Sequence, residues 1–259
     1  MNTYTRCPKC NHTPLPQDQA LPTACPTCGL VLAKYAQKQL EARERAAQIV
    51  NGENPEETLD EANWKTWLRE HVFYVPEQIE PAHLWLRVGF LVFFAIWGVR
   101  LIAMDFRDGE IGSSFLHSPL LVFHEAGHVI FRLFGEFMMI FGGTLGQLVM
   151  PAILMGALLI QNRDPVGASI GLWLLGVSFL DVAPYAYDAL DPQLMLLSGT
   201  TGEEGGHDWI YLLKTLGLLN KAHGLGWLIH KLGAIIMVTA ITWGSVILWK
   251  QYCILKKAN

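Results

Sequence analysis

Polar and apolar positions divide this chain into two regions. Residues 1–83 carry 19 charged side chains, whereas the 176 residues of 84–259 carry only 23. The second region contains apolar runs long enough to cross a bilayer, which takes about 20 residues of helix. The pattern predicts a soluble N-terminal region followed by a membrane domain.

The apolar runs predict about five hydrophobic elements. They are expected near residues 84–104, 117–134, 146–161, 166–182 and 225–249. The glycine-rich stretch 135–145 is predicted to be a loop at membrane depth, because glycines break helical patterns. The run that begins at Val166 is expected to end before Pro184. The predicted fold is mainly α, a polytopic helical membrane protein with a small N-terminal metal-binding segment.

The number of spans conflicts with the charge distribution. Lys250, Lys256 and Lys257 close the last apolar run and favour a cytosolic C-terminus. Five full spans from a cytosolic N-terminus would place the C-terminus outside. Either one element re-enters the membrane or the charge bias is too weak to set the orientation.

Two soluble helices are predicted between the N-terminal segment and the membrane domain. The segments 33–50 and 55–72 have helical composition, and Asn51-Gly52 separates them. Trp64 and Trp67 indicate either docking at the bilayer interface or packing against another part of the protein. Residues 33–83 are therefore expected to form a helical linker that lies at the interface or packs on a neighbouring domain.

Four cysteines near the N-terminus form two closely spaced pairs. Cys7 and Cys10 make the first CxxC, and Cys25 and Cys28 make the second after fourteen intervening residues. Two such turns supply the four thiolates that a structural zinc ion prefers. The alternative, a pair of disulfides, suits an oxidising compartment. Residues 1–32 are predicted to be a zinc ribbon and resemble the short ribbons at the start of many bacterial proteins.

Composition narrows the location and the partners. The chain is 51% hydrophobic and 16% charged, with a formal net charge of −4. These values exclude general disorder and argue against a single soluble domain. No basic field is present to recruit nucleic acid. The start of the chain has no apolar signal segment, so we expect a cytosolic ribbon with a protein partner and a multi-pass location in a bacterial inner membrane.

The most informative motif lies in the second apolar element. His124 and His128 are the histidines of an HExxH sequence and share one face of a helix, where both can bind one zinc ion. Glu125 projects beside them and is the predicted general base. The alternative is a polar helix face packed on other polar spans. Bound zinc would offset the cost of placing these ionisable groups in an apolar helix.

A catalytic zinc site takes three protein ligands and a water, so one ligand remains to be found. The candidates downstream are Asp188, His207 and Asp181, in that order. Asp181 is also suited to a cap or an ion pair with Arg163, and His207 to the start of an amphipathic helix. The polar, glycine-rich segment 199–206 suits a hinge that folds the helix after it over the site.

The HExxH helix, the glycine-rich stretch and a later Pro–Asp sequence resemble the site-2-protease family of intramembrane zinc metalloproteases. That family has an Asn-x-x-Pro…Leu-Asp-Gly motif whose Asp is the third ligand. Here Asp181 stands in place of the Asn, and Asp188 stands near the ligand position without the flanking Leu and Gly. The resemblance covers about residues 117–190. It implies His124, His128 and Asp188 as ligands, with Glu125 as the base.

The predicted activity is that of a zinc metalloendopeptidase in the bilayer. The resemblance implies one catalytic zinc in the membrane domain, 84–259, beside the structural zinc of the ribbon. The substrate is expected to be a membrane or membrane-proximal protein. A non-proteolytic zinc scaffold or metal-handling protein in the membrane remains the alternative.

Overall fold

A computed structural model describes residues 4–17, 19, 23–50 and 55–258. The described chain is mainly helical, with two isolated antiparallel bridges, and it divides into two compact units at residues 67 and 68. The predicted linker would have ended at residue 83. Eight α-helices occur in the described residues: α1 (Leu32–Val50), α2 (Pro55–Glu70), α3 (Pro81–Ala103), α4 (His117–Phe131), α5 (Glu136–Gly156), α6 (Pro165–Asp188), α7 (Asp208–Thr215) and α8 (Ala222–Ala258).

The first unit contains two equivalent turns followed by α1 and most of α2. In each turn, the backbone N–H four residues after the first cysteine donates to the carbonyl oxygen of that cysteine. The distances are 2.9 Å for Asn11 to Cys7 and 2.9 Å for Gly29 to Cys25. Asn11 and Gly29 both have left-handed backbone conformations, with φ of 56° and 68°. The repeated CxxC sequence therefore folds into the same local structure twice.

Four helices of the described chain are long and apolar enough to cross a membrane, which confirms the predicted class of fold. They are α3, α5 with the π-helical turn Ala157–Gln161, α6, and the segment Leu219–Lys257 that includes α8. The helix α4 has only 15 residues and is shorter than a span. Four crossings would place the start of α3 and the end of α8 on the same side of the bilayer. This would remove the conflict between the number of spans and the cytosolic C-terminus that the lysines favour.

The helix α6 is the centre of the membrane domain. Two thirds of its apolar window is buried inside the protein, against 17% for α3. It extends through Pro184 to Asp188, whereas the sequence predicted that it would end before the proline. Pro184 removes one backbone donor, and continuation of the helix satisfies the remaining backbone groups within the segment, which an apolar surrounding requires.

The prediction of a loop at residues 135–145 is wrong. The chain breaks at Gly135, whose φ of 93° and ψ of 171° suit glycine, and α5 begins at the next residue. Gly142 and Gly146 lie inside α5 and pack against the backbone of α4 at Phe123 and Gly127. These glycines allow close approach of two helices, and they do not interrupt α5.

Candidate metal centres

The four cysteines of the first unit converge on one point. Their sulfur atoms all lie within 4.8 Å of one another, and none is in a disulfide. Cys7 Sγ lies 3.6 Å from Cys28 Sγ, and Cys10 Sγ lies 3.7 Å from Cys25 Sγ. A disulfide would require about 2.05 Å. The cluster has the composition and spacing of a site for one metal ion.

The surroundings of Cys7 lower the pKa of its thiol. Burial raises its pKa, but backbone N–H groups of Lys9 and Cys10 and the thiols of Cys10 and Cys28 lower it to about 6. Backbone donors stabilise a thiolate, and the thiolate is the form that binds metal. The turn that positions Cys7 therefore also favours its ligand form.

A second cluster lies in the membrane domain and contains His124, His128 and Asp208. The two histidines are one helical turn apart on α4, and Asp208 is the first residue of α7. His124 Nε2 lies 3.0 Å from Asp208 Oδ2, and His128 Nε2 lies 3.1 Å from the same oxygen. The predicted histidine pair is thus brought together with a carboxylate 84 residues further along the chain.

The other ring nitrogens fix how the two imidazoles face this oxygen. His128 Nδ1 donates to the carbonyl oxygen of Met139 at 2.8 Å. His124 Nδ1 lies 3.3 Å from Oε1 of Gln147, which accepts because the amide nitrogen of Gln147 donates to Asp181 at 2.6 Å. Both Nδ1 atoms therefore carry a proton, so a neutral imidazole at either position presents its Nε2 lone pair towards Asp208.

With neutral imidazoles, each Nε2 lone pair lies 3.0 or 3.1 Å from the Asp208 oxygen. Lone pairs that face each other repel, so the arrangement suits either a metal ion among the three atoms or a second proton on an imidazole, which would form an ion pair with Asp208. Outer hydrogen bonds from the far nitrogens of histidines are typical of metal ligands. The donor set and its hydrogen bonds fit a divalent metal ion.

The backbone of α5 forms one side of the membrane cluster. A Cβ atom on Gly143 would lie 2.6 Å from both His124 Nε2 and His128 Nε2. Glycine at this position leaves the space beside the two nitrogens open. The glycine-rich sequence, which was interpreted as a loop, contributes to the site through this missing side chain.

Glu125 and the cluster share one cavity of about 200 Å³. Its walls include the apolar side chains Leu121, Val182, Leu196 and Trp209. Glu125 is exposed, although it lies on the short apolar helix α4. The Glu125 carboxylate therefore lies next to the cluster and is accessible from the cavity, and its role as a general base stays a prediction.

The three residues proposed from the sequence as third ligand lie outside this cluster. Asp188 accepts hydrogen bonds from the backbone N–H groups of Gln193 and Leu194, and His207 lies beside Asp188. Asp181 binds Gln147 and lies 2.8 Å from His117 Nδ1. The structure instead places Asp208 at the cluster, because α7 packs against α5 and α6 after the segment predicted to be a hinge and so brings its first residue to α4.

Gln147 and His117 were also missed, although each is a polar residue in an apolar run. Gln147 is 3% exposed and links the cluster to Asp181, which is equally buried. His117 occupies the other side of the Asp181 carboxylate. A buried amide in an apolar helix requires hydrogen-bond partners. The signal available in the sequence was therefore a polar residue within an apolar run.

Replacement of Gln147 by leucine is expected to weaken metal binding by about 10–100-fold, the usual effect of removing an outer hydrogen bond. The reason is that His124 loses the acceptor that fixes its ring. Metal affinity is measured by competition with a chelator. Thr144→Val is the matched control, since Thr144 is equally buried on α5 and its hydroxyl has no partner. Equal affinities in the two variants would contradict a role of Gln147 in holding His124.

Comparison with known proteins assigns no family to the chain. No protein-family model, no curated protein and no solved structure matches it. The resemblance to site-2 proteases remains an inference from the motif. The function is therefore inferred from the residues of the two clusters.

Proposed function

We propose that the protein is a membrane-embedded zinc metallopeptidase that cleaves a membrane or membrane-proximal protein. The observation that carries the proposal is the convergence of His124, His128 and Asp208 in the cavity that Glu125 also lines. Two histidines and a carboxylate, with a further position open to water, are a common ligand set of catalytic zinc.

The distances in both clusters support zinc. Tetrahedral coordination with metal–ligand distances of about 2.05 Å separates nitrogen and oxygen ligands by about 3.3 Å. The His124–Asp208 and His128–Asp208 distances of 3.0 and 3.1 Å are close to this value. For four sulfurs at about 2.3 Å from zinc the separation is about 3.8 Å, and two of the sulfur pairs lie 3.6 and 3.7 Å apart. The cysteine site has four protein ligands and is structural.

Zinc held by His124, His128 and Asp208 would supply the Lewis acidity that activates water and polarises the scissile carbonyl. Glu125 accepts the proton of the attacking water and transfers it to the leaving amine. Gln147 and the Met139 carbonyl hold the two imidazoles in the required orientation. The apolar walls of the cavity favour a hydrophobic peptide segment over a polar one.

A base beside the ligands distinguishes a peptidase from a zinc protein without hydrolytic activity. Metal binding alone uses His124, His128 and Asp208 and has no need of Glu125.

The four spans and the C-terminal lysines favour a cytosolic location for both ends of the membrane domain. The proposed enzyme therefore has its structural zinc site in the cytosol and its catalytic site within the bilayer region.

The Glu125→Gln variant tests the peptidase proposal. We expect it to keep both zinc ions and to lose hydrolysis by about 10²–10⁴-fold, the usual contribution of a general base. Membrane proteins from cells that express either form are compared by mass spectrometry for newly formed peptide ends. Glu110→Gln is the control, since Glu110 is outside the cavity. Identical peptide ends in wild type and Glu125→Gln would favour the non-proteolytic alternative.

A further inference from the structure

The segment between α6 and α7 carries Asp208 to the two histidines of α4. It begins after Asp188, the last residue of α6, and ends at His207, which caps the start of α7. Both side chains are almost completely buried, with 5% exposed for Asp188 and 2% for His207. The two ends of the segment therefore meet at one buried pair beside the cluster.

Asp188 organises the beginning of the segment. Its Oδ1 accepts from the backbone N–H of Gln193 at 2.8 Å and from that of Leu194 at 3.2 Å. Its Oδ2 lies 3.4 Å from Nε2 of His207. A single carboxylate thus contacts both the first residues of the segment and its last one.

His207 organises the end of the segment. Its Nδ1 accepts from the backbone N–H of Ile210 at 3.4 Å, which caps α7. Because Nδ1 accepts, the proton lies on Nε2, which faces Asp188 Oδ2 at 3.4 Å without the geometry of a hydrogen bond. Gly202 packs on the ring, since a Cβ there would lie 2.7 Å from His207 Cδ2. The ring is therefore held from three directions.

We infer that Asp188 and His207 form a clamp that positions Asp208 for metal binding, although neither is itself a ligand. His207 and Asp208 are consecutive residues. A fixed His207 backbone therefore fixes the position from which the Asp208 side chain extends. The inference rests on the proposed metal site. It gives Asp188 and His207, the two leading sequence candidates, a role next to the coordination sphere.

Cobalt binding to the full-length chain tests the clamp. Cys7 and Cys10 are both replaced by serine in all samples, so that only the membrane site binds metal. Asp188→Asn keeps an acceptor for Gln193 and Leu194 but removes the negative charge that faces Nε2 of His207. We expect affinity to fall by about 10–100-fold, with unchanged visible bands at saturating cobalt because the ligands remain the same. Asp191→Asn, an exposed carboxylate of the same segment, is the control.

The variants at His207 provide an independent test. His207→Ala removes both the cap and the contact with Asp188, and we expect the same 10–100-fold loss. His207→Asn supplies a carbonyl oxygen for Ile210 and an amide group on the side of Asp188, and should restore most of the affinity. Unchanged affinity in both Asp188→Asn and His207→Ala would overturn the clamp. Altered bands at saturation in Asp188→Asn would also overturn it, by making Asp188 a ligand. Absence of cobalt binding before either change would instead refute the metal site itself.

Discussion

Replacement of Gly143 by alanine is expected to empty the membrane metal site without removing a ligand. The added methyl group would lie 2.6 Å from Nε2 of both His124 and His128, far inside van der Waals contact. The backbone of α5 cannot retreat easily, because Gly142 and Gly146 hold it against α4. The imidazoles must therefore move away from Asp208.

The expected loss of metal affinity exceeds the 10–100-fold effect of an outer hydrogen bond, because both imidazoles are displaced together. Chelator competition on the full-length protein measures it. Gly156→Ala is the matched control, since Gly156 lies in the same helix and a Cβ there would meet no atom within 4 Å. Wild-type affinity in Gly143→Ala would show that the space beside the two nitrogens is not where the metal binds.

Removal of the cysteine ligands is expected to unfold the turns of the first unit. Structural zinc contributes about 10–16 kcal/mol of apparent binding energy in small zinc domains, and this segment has little apolar core of its own. In the Cys7→Ser/Cys10→Ser variant, the N–H groups of Cys25 and Gly29, which are hydrogen-bonded within the turns, should exchange rapidly.

Hydrogen exchange followed by mass spectrometry of peptides from residues 4–31 measures this loss. Cys253→Ser is the control, because this cysteine is outside the cluster. A chelator added to the wild type should reproduce the effect of the double variant. Protection that survives both treatments would show that the turns are stable without metal and would remove the structural role of the site.

The parts of both sites that depend on local spacing could be predicted from the sequence. Histidines four residues apart share a helix face, and the CxxC pairs form tight turns, so His124, His128 and the four cysteines were correctly grouped. The apolar runs also predicted the class of fold. In each case, the relevant contacts lie within one element or within a short loop.

The third member of the membrane cluster could not be found in this way. Asp208 reaches His124 across 84 residues, and nothing in its neighbours marks it as different from His207 or Asp188. The glycines of α5 were misinterpreted for a related reason. Glycine weakens an isolated helix. Here its presence is explained by close packing against α4 and by the open space that Gly143 leaves beside the two histidine nitrogens. Long-range contacts decided both outcomes.

Zinc content per chain, measured in full-length wild type and in Asp208→Ala, tests the proposed membrane metal site directly. Both proteins are purified in detergent, and Asp191→Ala serves as the control carboxylate. We expect two zinc ions in the wild type and the control, and one in Asp208→Ala, retained by the four cysteines. Two zinc ions in a folded Asp208→Ala protein would contradict the membrane site formed by His124, His128 and Asp208.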